Sequence, residues 1–205
     1  MPEWLRGYHA FVAISDDDGR SWPRTKDALN DPERRLAYYD QRMVALPDGR
    51  ILSLAWVHDV VEDRTLEARA GWSADGGITW SEPAETSLLG GPVNPVVLAD
   101  GRVVAIYPRR SEPTGIRACL SEDGGRTWRM DEETVIWDEA SGRVTGEPAA
   151  SVRPAAPDPA LWDTMWGWTF GQPMPVALGP SEVGICFFGA PREGRPAVRF
   201  VRLEV

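Results

Sequence analysis

An eight-residue pattern, S-x-D-x-G-x-[S/T]-W, occurs three times in this chain, at Ser15–Trp22, Ser73–Trp80 and Ser121–Trp128. A pattern repeated at intervals of 58 and then 48 positions implies a structural unit of that length, which suits four short strands and their turns rather than a helical repeat. The chemistry of the pattern is that of a hairpin turn. Asp17, Asp75 and Asp123 are placed to accept hydrogen bonds from backbone N–H groups just ahead of them. Gly19, Gly77 and Gly125 supply the positive φ that such a turn requires. The strand before the second copy alternates, with Leu66, Ala68, Ala70 and Trp72 on one face and Glu67 and Arg69 on the other. Trp22, Trp80 and Trp128 close the motif with a large flat side chain able to fill the hairpin against its neighbours.

A second repeat lies ahead of the first. Leu46-Pro47-Asp48-Gly49-Arg50-Ile51-Leu52 recurs 52 positions later as Leu98-Ala99-Asp100-Gly101-Arg102-Val103-Val104, and Asp-Gly between apolar runs signals a tight hairpin. A degenerate third copy spans Pro175 to Gly184. Each full unit therefore reads as strand A, Asp-Gly turn, strand B, loop, strand C, box turn, strand D. On this reading the chain is a single incomplete all-β domain, residues 1–205. Residues 8–23 form half a unit, 41–88 and 93–137 two whole ones, 138–171 a long loop, and 172–205 a last unit with its C strand near Ala197 to Leu203. Short helices are expected only in connections, near Asp31 to Tyr38 or Asp158 to Met165.

Composition narrows the function classes. The chain is 42% hydrophobic and 26% charged, and it contains no apolar run of the roughly 20 residues needed to cross a bilayer, so no membrane partner is expected. A net charge of −9 without a basic cluster argues against nucleic acid, whose phosphates need grouped Lys and Arg. Lys26 is the sole lysine among 22 basic residues; the arginines offer planar forks suited to carboxylates. Cys119 and Cys186 have no metal-binding spacing and are expected to be buried thiols. Met1 to Ala10 lacks the apolar core of a secretory leader.

The three boxes and the Asp-Gly repeats resemble those of the Asp-box, or BNR-repeat, proteins of the sialidase superfamily. Asp40-Gln41-Arg42-Met43, Trp168-Thr169-Phe170-Gly171-Gln172-Pro173 and Val198-Arg199-Phe200-Val201-Arg202-Leu203 look like the C-terminal half of bacterial sialidase-like proteins. The resemblance implies a partial sialidase-like β-propeller of about three four-stranded blades out of six. It also implies a glycoside hydrolase, or a fragment of one, acting on glycans with terminal sugars; the alternative is a non-catalytic propeller that binds carbohydrate or protein. Enzymes of the family use an arginine triad, a Tyr nucleophile with a Glu partner, and an Asp near an Arg-Ile-Pro motif. This chain has no Arg-Ile-Pro, and Pro92-Val93-Asn94-Pro95-Val96-Val97 stands where the Glu would precede the turn before Arg109. A half-ring leaves strand edges unpaired, so either a second copy or a missing N-terminal half is expected to complete it. The resemblance is compatible with a bacterial cytoplasmic protein or a mature secreted one.

Strand order places the short A–B and C–D turns at one end of each unit, which leaves the B–C loops and D–A connections, at the opposite end, for function. There the candidates are Asp40, Asp59 and Tyr107 as catalytic groups, Tyr107 by analogy with the Tyr nucleophile of sialidases. Arg42, Arg109, His58, Trp166 and Gln172 are the candidate substrate-binding groups. No metal and no cofactor are expected, since His58 has no second His nearby, and the partner is a carbohydrate.

Overall fold

The computed structural model describes residues 6–149, 167–191 and 194–205. Among them are fourteen strands, no α-helix, and a 3-10 turn at Met130–Glu132. The strands form four antiparallel meanders, none closed on itself. The first pairs β1 (Ala10–Ile14) with β2 (Arg24–Leu29). The second contains β3 (Leu36–Ala45), β4 (Ile51–Asp59), β5 (Arg64–Ser73) and the short β6 (Ala84–Glu85). The third contains β7 (Asn94–Val97), β8 (Val103–Arg109), β9 (Gly115–Ser121), β10 (Thr134–Asp138) and β11 (Arg143–Pro148). The fourth contains β12 (Phe170–Gly179), β13 (Glu182–Gly189) and β14 (Ala197–Glu204).

The repeated turns form as their chemistry dictates. In the box between β5 and β6 the Ser73 hydroxyl donates to Asp75 (2.9 Å) and accepts from Gly77 N–H (2.8 Å). The Asp75 carboxylate accepts from both the N–H (2.8 Å) and the hydroxyl (2.6 Å) of Thr79. The same four bonds recur around Asp17 and around Asp123. Gly19, Gly77 and Gly125 have φ of 81°, 90° and 87°. In the Asp-Gly hairpins, Asp48 and Asp100 each accept from the backbone N–H and the guanidinium of the Arg two residues on.

Several boundaries differ from the sequence reading. The strand after the first box starts beyond Trp22 and extends the first pair to Leu29. Asp31 to Tyr38 is no helix: the Asp31 carboxylate accepts from the N–H groups of Glu33, Arg35 and Leu36, closing a turn from which β3 starts at Leu36 rather than 41. Residues 143–148, expected as loop, fold back as β11 through a turn in which Gly142 has φ 65° and bonds to the Asp138 carbonyl. Cys186 is exposed on β13, whereas Cys119 is buried. The second helix expectation falls outside the described residues.

The sheets stack in chain order, each burying one face against the next. Leu52, Leu54, Ala68 and Ala70 meet Val103, Ala105, Tyr107, Cys119 and Trp128 in one layer. Val104, Ile106, Ile116 and Trp137 meet Phe170, Val183, Ile185 and Phe187 in the next, while Ala10 and Leu29 pack on Tyr38, Ala55 and Val57 ahead of both. Alternate residues of β4 and of β8 thus enter different layers, which explains why both strands read as near-continuous apolar runs. The outer face of the last sheet carries Met174, Val176, Val198 and Phe200, all exposed. The first strands of successive sheets run side by side, with β7 between β3 and β12.

The boxes also serve the stacking. A Cβ on Gly125 would lie 2.6 Å from Leu52 Cδ2 in the preceding sheet, and one on Gly77 would lie 3.6 Å from Val12 Cγ2. Gly19, in the first pair, faces only Trp22 of its own turn. Exposure of the closing Trp follows this order: Trp22 is 58% exposed and Trp128 8%.

Two outcomes follow from these contacts. Gly125→Ala carries both backbone strain and a clash with Leu52, so in urea unfolding it should cost about 1–3 kcal/mol more than Gly19→Ala, which carries the strain alone. Hydroxyl and N–H donors from Ser21 and Thr79 hold the Asp17 and Asp75 carboxyls down to about 2. A carboxyl depressed in the folded state stabilises above its ordinary value, and that contribution fades as pH falls through the folded value. The box contribution should therefore be intact above roughly pH 4 and disappear towards about pH 2. Asp75→Asn should flatten that part of a stability-against-pH curve.

Candidate functional site

The start of β3 is bulged. Its register against β4 shifts between Tyr39 and Arg42, and Asp40 in the bulge has φ 49°. The same irregularity recurs on β12, where register shifts between Gly171 and Met174 and Gln172 has φ 47°. Aligning Leu46, Leu98 and Leu178 as the last residue before each A–B turn makes Asp40 and Gln172 equivalent positions of the repeat. Both side chains are exposed. Non-glycine residues at positive φ are uncommon, and bulges that re-aim a side chain gather at functional sites.

One turn of the pleat further on, Arg42 donates through Nε to Asn94 Oδ1 on β7 (3.1 Å) and through Nη1 to the Gln41 carbonyl (2.9 Å). Its Nη2 lies 4.0 Å from Asp40 Oδ1. Gln41 donates its amide to the Ser53 hydroxyl (2.8 Å). Asn94 in turn donates to the Pro92 carbonyl (3.1 Å). The mouth of β3 and β7 is thus a connected polar patch whose outermost groups are Asp40 and the half-exposed Arg42.

Tyr107 and Arg109 lie on β8, with Tyr107 in the layer between the second and third sheets. The Tyr107 hydroxyl donates to Glu133 Oε1. Arg109 Nη1 and Arg117 Nε lie 3.7 and 3.9 Å from Glu133 Oε2. All four residues are buried, so one carboxylate balances two guanidinium groups away from solvent. Burial, followed by the Glu133 charge, raises the Tyr107 hydroxyl well above its ordinary pKa, and burial lowers the Arg117 guanidinium. The same two causes push the neighbouring Cys119 thiol up to about 12. The Gly90–Gly91 segment presses on this cluster: a Cβ on Gly90 would lie 2.8 Å from Tyr107 Cδ2, and Gly91 N–H donates to the Pro108 carbonyl (3.2 Å).

The remaining candidates are engaged elsewhere. Asp59 is buried and accepts Arg35 Nε and Nη2 (3.0 and 2.7 Å) together with the N–H groups of Val61 and Glu62. Burial opposes its ionisation, but these donors outweigh it and hold the carboxyl low. His58 is fully buried with Nε2 3.0 Å from Asp63 Oδ1. Trp166 lies outside the described residues. Its neighbour Trp168 packs 6.3 Å from Trp56 and beneath the guanidinium of Arg110, whose carbon is 3.8 Å from the ring centroid. Arg110 also donates to the Phe170 carbonyl (2.6 Å), and its pKa falls to about 9 on burial. The structure therefore brings Asp40, Arg42 and, at the equivalent position, Gln172 to the mouths of the first strands. It places Tyr107 with Arg109 in a separate buried cluster, and His58 and Asp59 at the end of β4, paired with Thr65 and Arg64 of β5.

Sequence reasoning missed Glu133, Asn94 and Arg117. Asn94 carries a usable signal, because it is the repeat equivalent of Arg42. Glu133 carries one as well: an acidic residue stands five positions past the box Trp in every unit, as Asp27, Glu85 and Glu133, and Glu85 pairs with Arg69 as Glu133 does with Arg117.

The sequence matches the BNR repeat-like domain over residues 3–148. The chain belongs to that family. No curated protein matches it in sequence. Among solved structures, a protein of unknown function from Dyadobacter fermentans is 22% identical with TM-score 0.64, the match covering 94% of this chain and 44% of that one. A Hadza microbial sialidase is 17% identical with TM-score 0.60 over 96% of this chain and 40% of its own. The α-L-arabinanase of Penicillium chrysogenum is 14% identical with TM-score 0.53 over 98% and 51%. These likenesses fit a propeller-type fold for the BNR repeat-like chain, which spans about half the length of these structures or less. Among the described residues no group of three His, Cys, Asp or Glu side chains is placed to hold a metal, and no helix is long and apolar enough to cross a membrane.

The buried cluster yields a stability test. Glu133→Gln leaves two buried guanidinium groups without their carboxylate and should cost about 3–5 kcal/mol in chemical denaturation. Tyr107→Phe removes one bond to a carboxylate that keeps both arginines, and should cost about 1–3 kcal/mol.

Proposed function

We propose that this chain is the part of a carbohydrate-active propeller that holds a glycan at the mouths of its inner strands, with glycoside hydrolysis as the activity of the complete protein. The observation that carries the reading is the paired bulge: Asp40 and Gln172, equivalent in the repeat, both at positive φ and both exposed, on the two strands that flank β7. Propeller-type relatives that include sialidases and an arabinanase support the substrate class. In this reading Asp40 is the acid/base group, and Arg42 and Gln172 position the ligand. Arg109 and Tyr107 stiffen β8. The exposed apolar face of the last sheet is where a further blade would pack, supplied by a longer protein or by a second copy.

A non-catalytic glycan-binding propeller is the second reading, and the fate of the other candidates favours it. Glycosidases work with two groups on opposite sides of the scissile bond. Tyr107 and Asp59, the groups that could accompany Asp40, are committed to internal partners.

A glycan-binding array and a chromogenic glycoside panel, run on wild type, Asp40→Asn, Gln172→Ala and Arg42→Ala, test both readings. The first reading expects hydrolysis that Asp40→Asn abolishes. The second expects binding without turnover. Under either, Arg42→Ala should weaken binding by about tenfold to a hundredfold, the worth of a charge-assisted contact. Wild-type affinity in all three variants would place the site elsewhere.

A further inference from the structure

Five arginines at this end of the second and third sheets already have partners. Arg109 shares Glu133 with Arg117 and donates Nη2 to the Glu112 carbonyl (3.2 Å). Arg117 also donates to the Pro113 carbonyl (2.7 Å). The Nε–Nη2 edge of Arg35 is closed by Asp59. Arg110 lies over the Trp168 ring and bonds to backbone. Arg42 spends Nε on Asn94 and Nη1 on the Gln41 carbonyl, and its remaining Nη2 faces Asp40.

Recognition of a sugar carboxylate calls for a guanidinium edge with two N–H groups open in one direction. Arg109 and Arg117 are buried, Arg110 packs over Trp168 and bonds to backbone, Asp59 closes the Nε–Nη2 edge of the half-exposed Arg35, and Arg42 offers a single group, Nη2, rather than a two-pronged edge. The groups that point outward have different chemistry. Asp40 is a carboxylate, which accepts hydrogen bonds from hydroxyls and repels anions; the exposed Gln172 amide can donate and accept. The field of the whole chain, at a net charge of −9, has the same sign as Asp40.

From this we infer that the site selects an uncharged, hydroxyl-rich sugar and rejects sugars bearing a carboxylate, with the Asp40 charge as the discriminating element. The inference rests on the glycan site proposed above and specifies its ligand. A carboxylate sugar at this mouth would have to displace Asn94 or Asp40 from Arg42, and would leave like charges facing each other.

Calorimetric titration of the full chain with arabinobiose and lactose on one side, and N-acetylneuraminic acid and digalacturonic acid on the other, tests it. The expected result is binding of at least one uncharged sugar, with the acids weaker by on the order of tenfold or more. In Asp40→Asn the gap should narrow through improved binding of the acids, a change that a merely structural role for Asp40 would not produce. Acids bound as tightly as the uncharged sugars, with affinity falling as salt rises, would overturn the inference while leaving the glycan site standing. Binding of neither class by a protein with an intact β spectrum would overturn the glycan site itself, and the selectivity with it.

Discussion

β4 and β8, and β9 beside the latter, are buried on both faces, and the architecture is organised around them. A strand in that position must present apolar side chains in both directions, so its sheet needs a neighbour in front and another behind. Leu52 and Leu54 face forward while Ala55 and Val57 face back; Ala105 faces back while Val104 and Ile106 face forward. Burial of each such Leu, Val or Ile side chain is worth about 1.5–3 kcal/mol, and the gain exists only if the next sheet is in place. Stacking in chain order is thus forced by composition at the centre of each unit rather than by any one contact at its rim.

Stacking then determines which polar groups remain available for chemistry. A side chain near the end of β8 that points back, such as Tyr107, falls between two sheets and must find its partner there; Glu133 supplies it. A side chain on the bulge of β3 or β12 escapes the stack, because the irregular register turns it away from the regular alternation. The difference between a buried ion cluster and an accessible group therefore depends on whether the strand is regular at that residue.

This explains what the sequence could and could not reveal. The box and Asp-Gly turns were legible because their hydrogen bonds connect residues within five positions of one another, as in Ser73, Asp75 and Thr79. β5 was legible from alternation, and the strands beside the Asp-Gly turns from the apolar runs that flank them. The loop-closing pair of Asp59 and Arg35 joins residues 24 apart, and the Tyr107–Glu133 bond joins residues 26 apart. Neither leaves a mark in local pattern, so Asp59 and Tyr107 resembled free functional groups. β11 escaped notice for another reason: it is exposed along its whole length, and an edge strand with little to bury has no hydrophobic signature. Asp40 and Gln172 were named from strand-mouth position and family resemblance, but their equivalence became meaningful only with the backbone conformation.

The box glycines show how identical letters can carry unequal information. Gly19, Gly77 and Gly125 occupy the same place in the same motif and adopt nearly the same φ. Gly19 serves its own turn; Gly125 is also the surface on which Leu52 of the preceding sheet rests. Substitutions should therefore accumulate unevenly across the three copies as related chains diverge. The first copy can drift to asparagine or aspartate at little cost, and the third cannot. Repeat detection that weights all copies alike will lose the first unit of a distant relative before the third, and will underestimate how many sheets that relative contains.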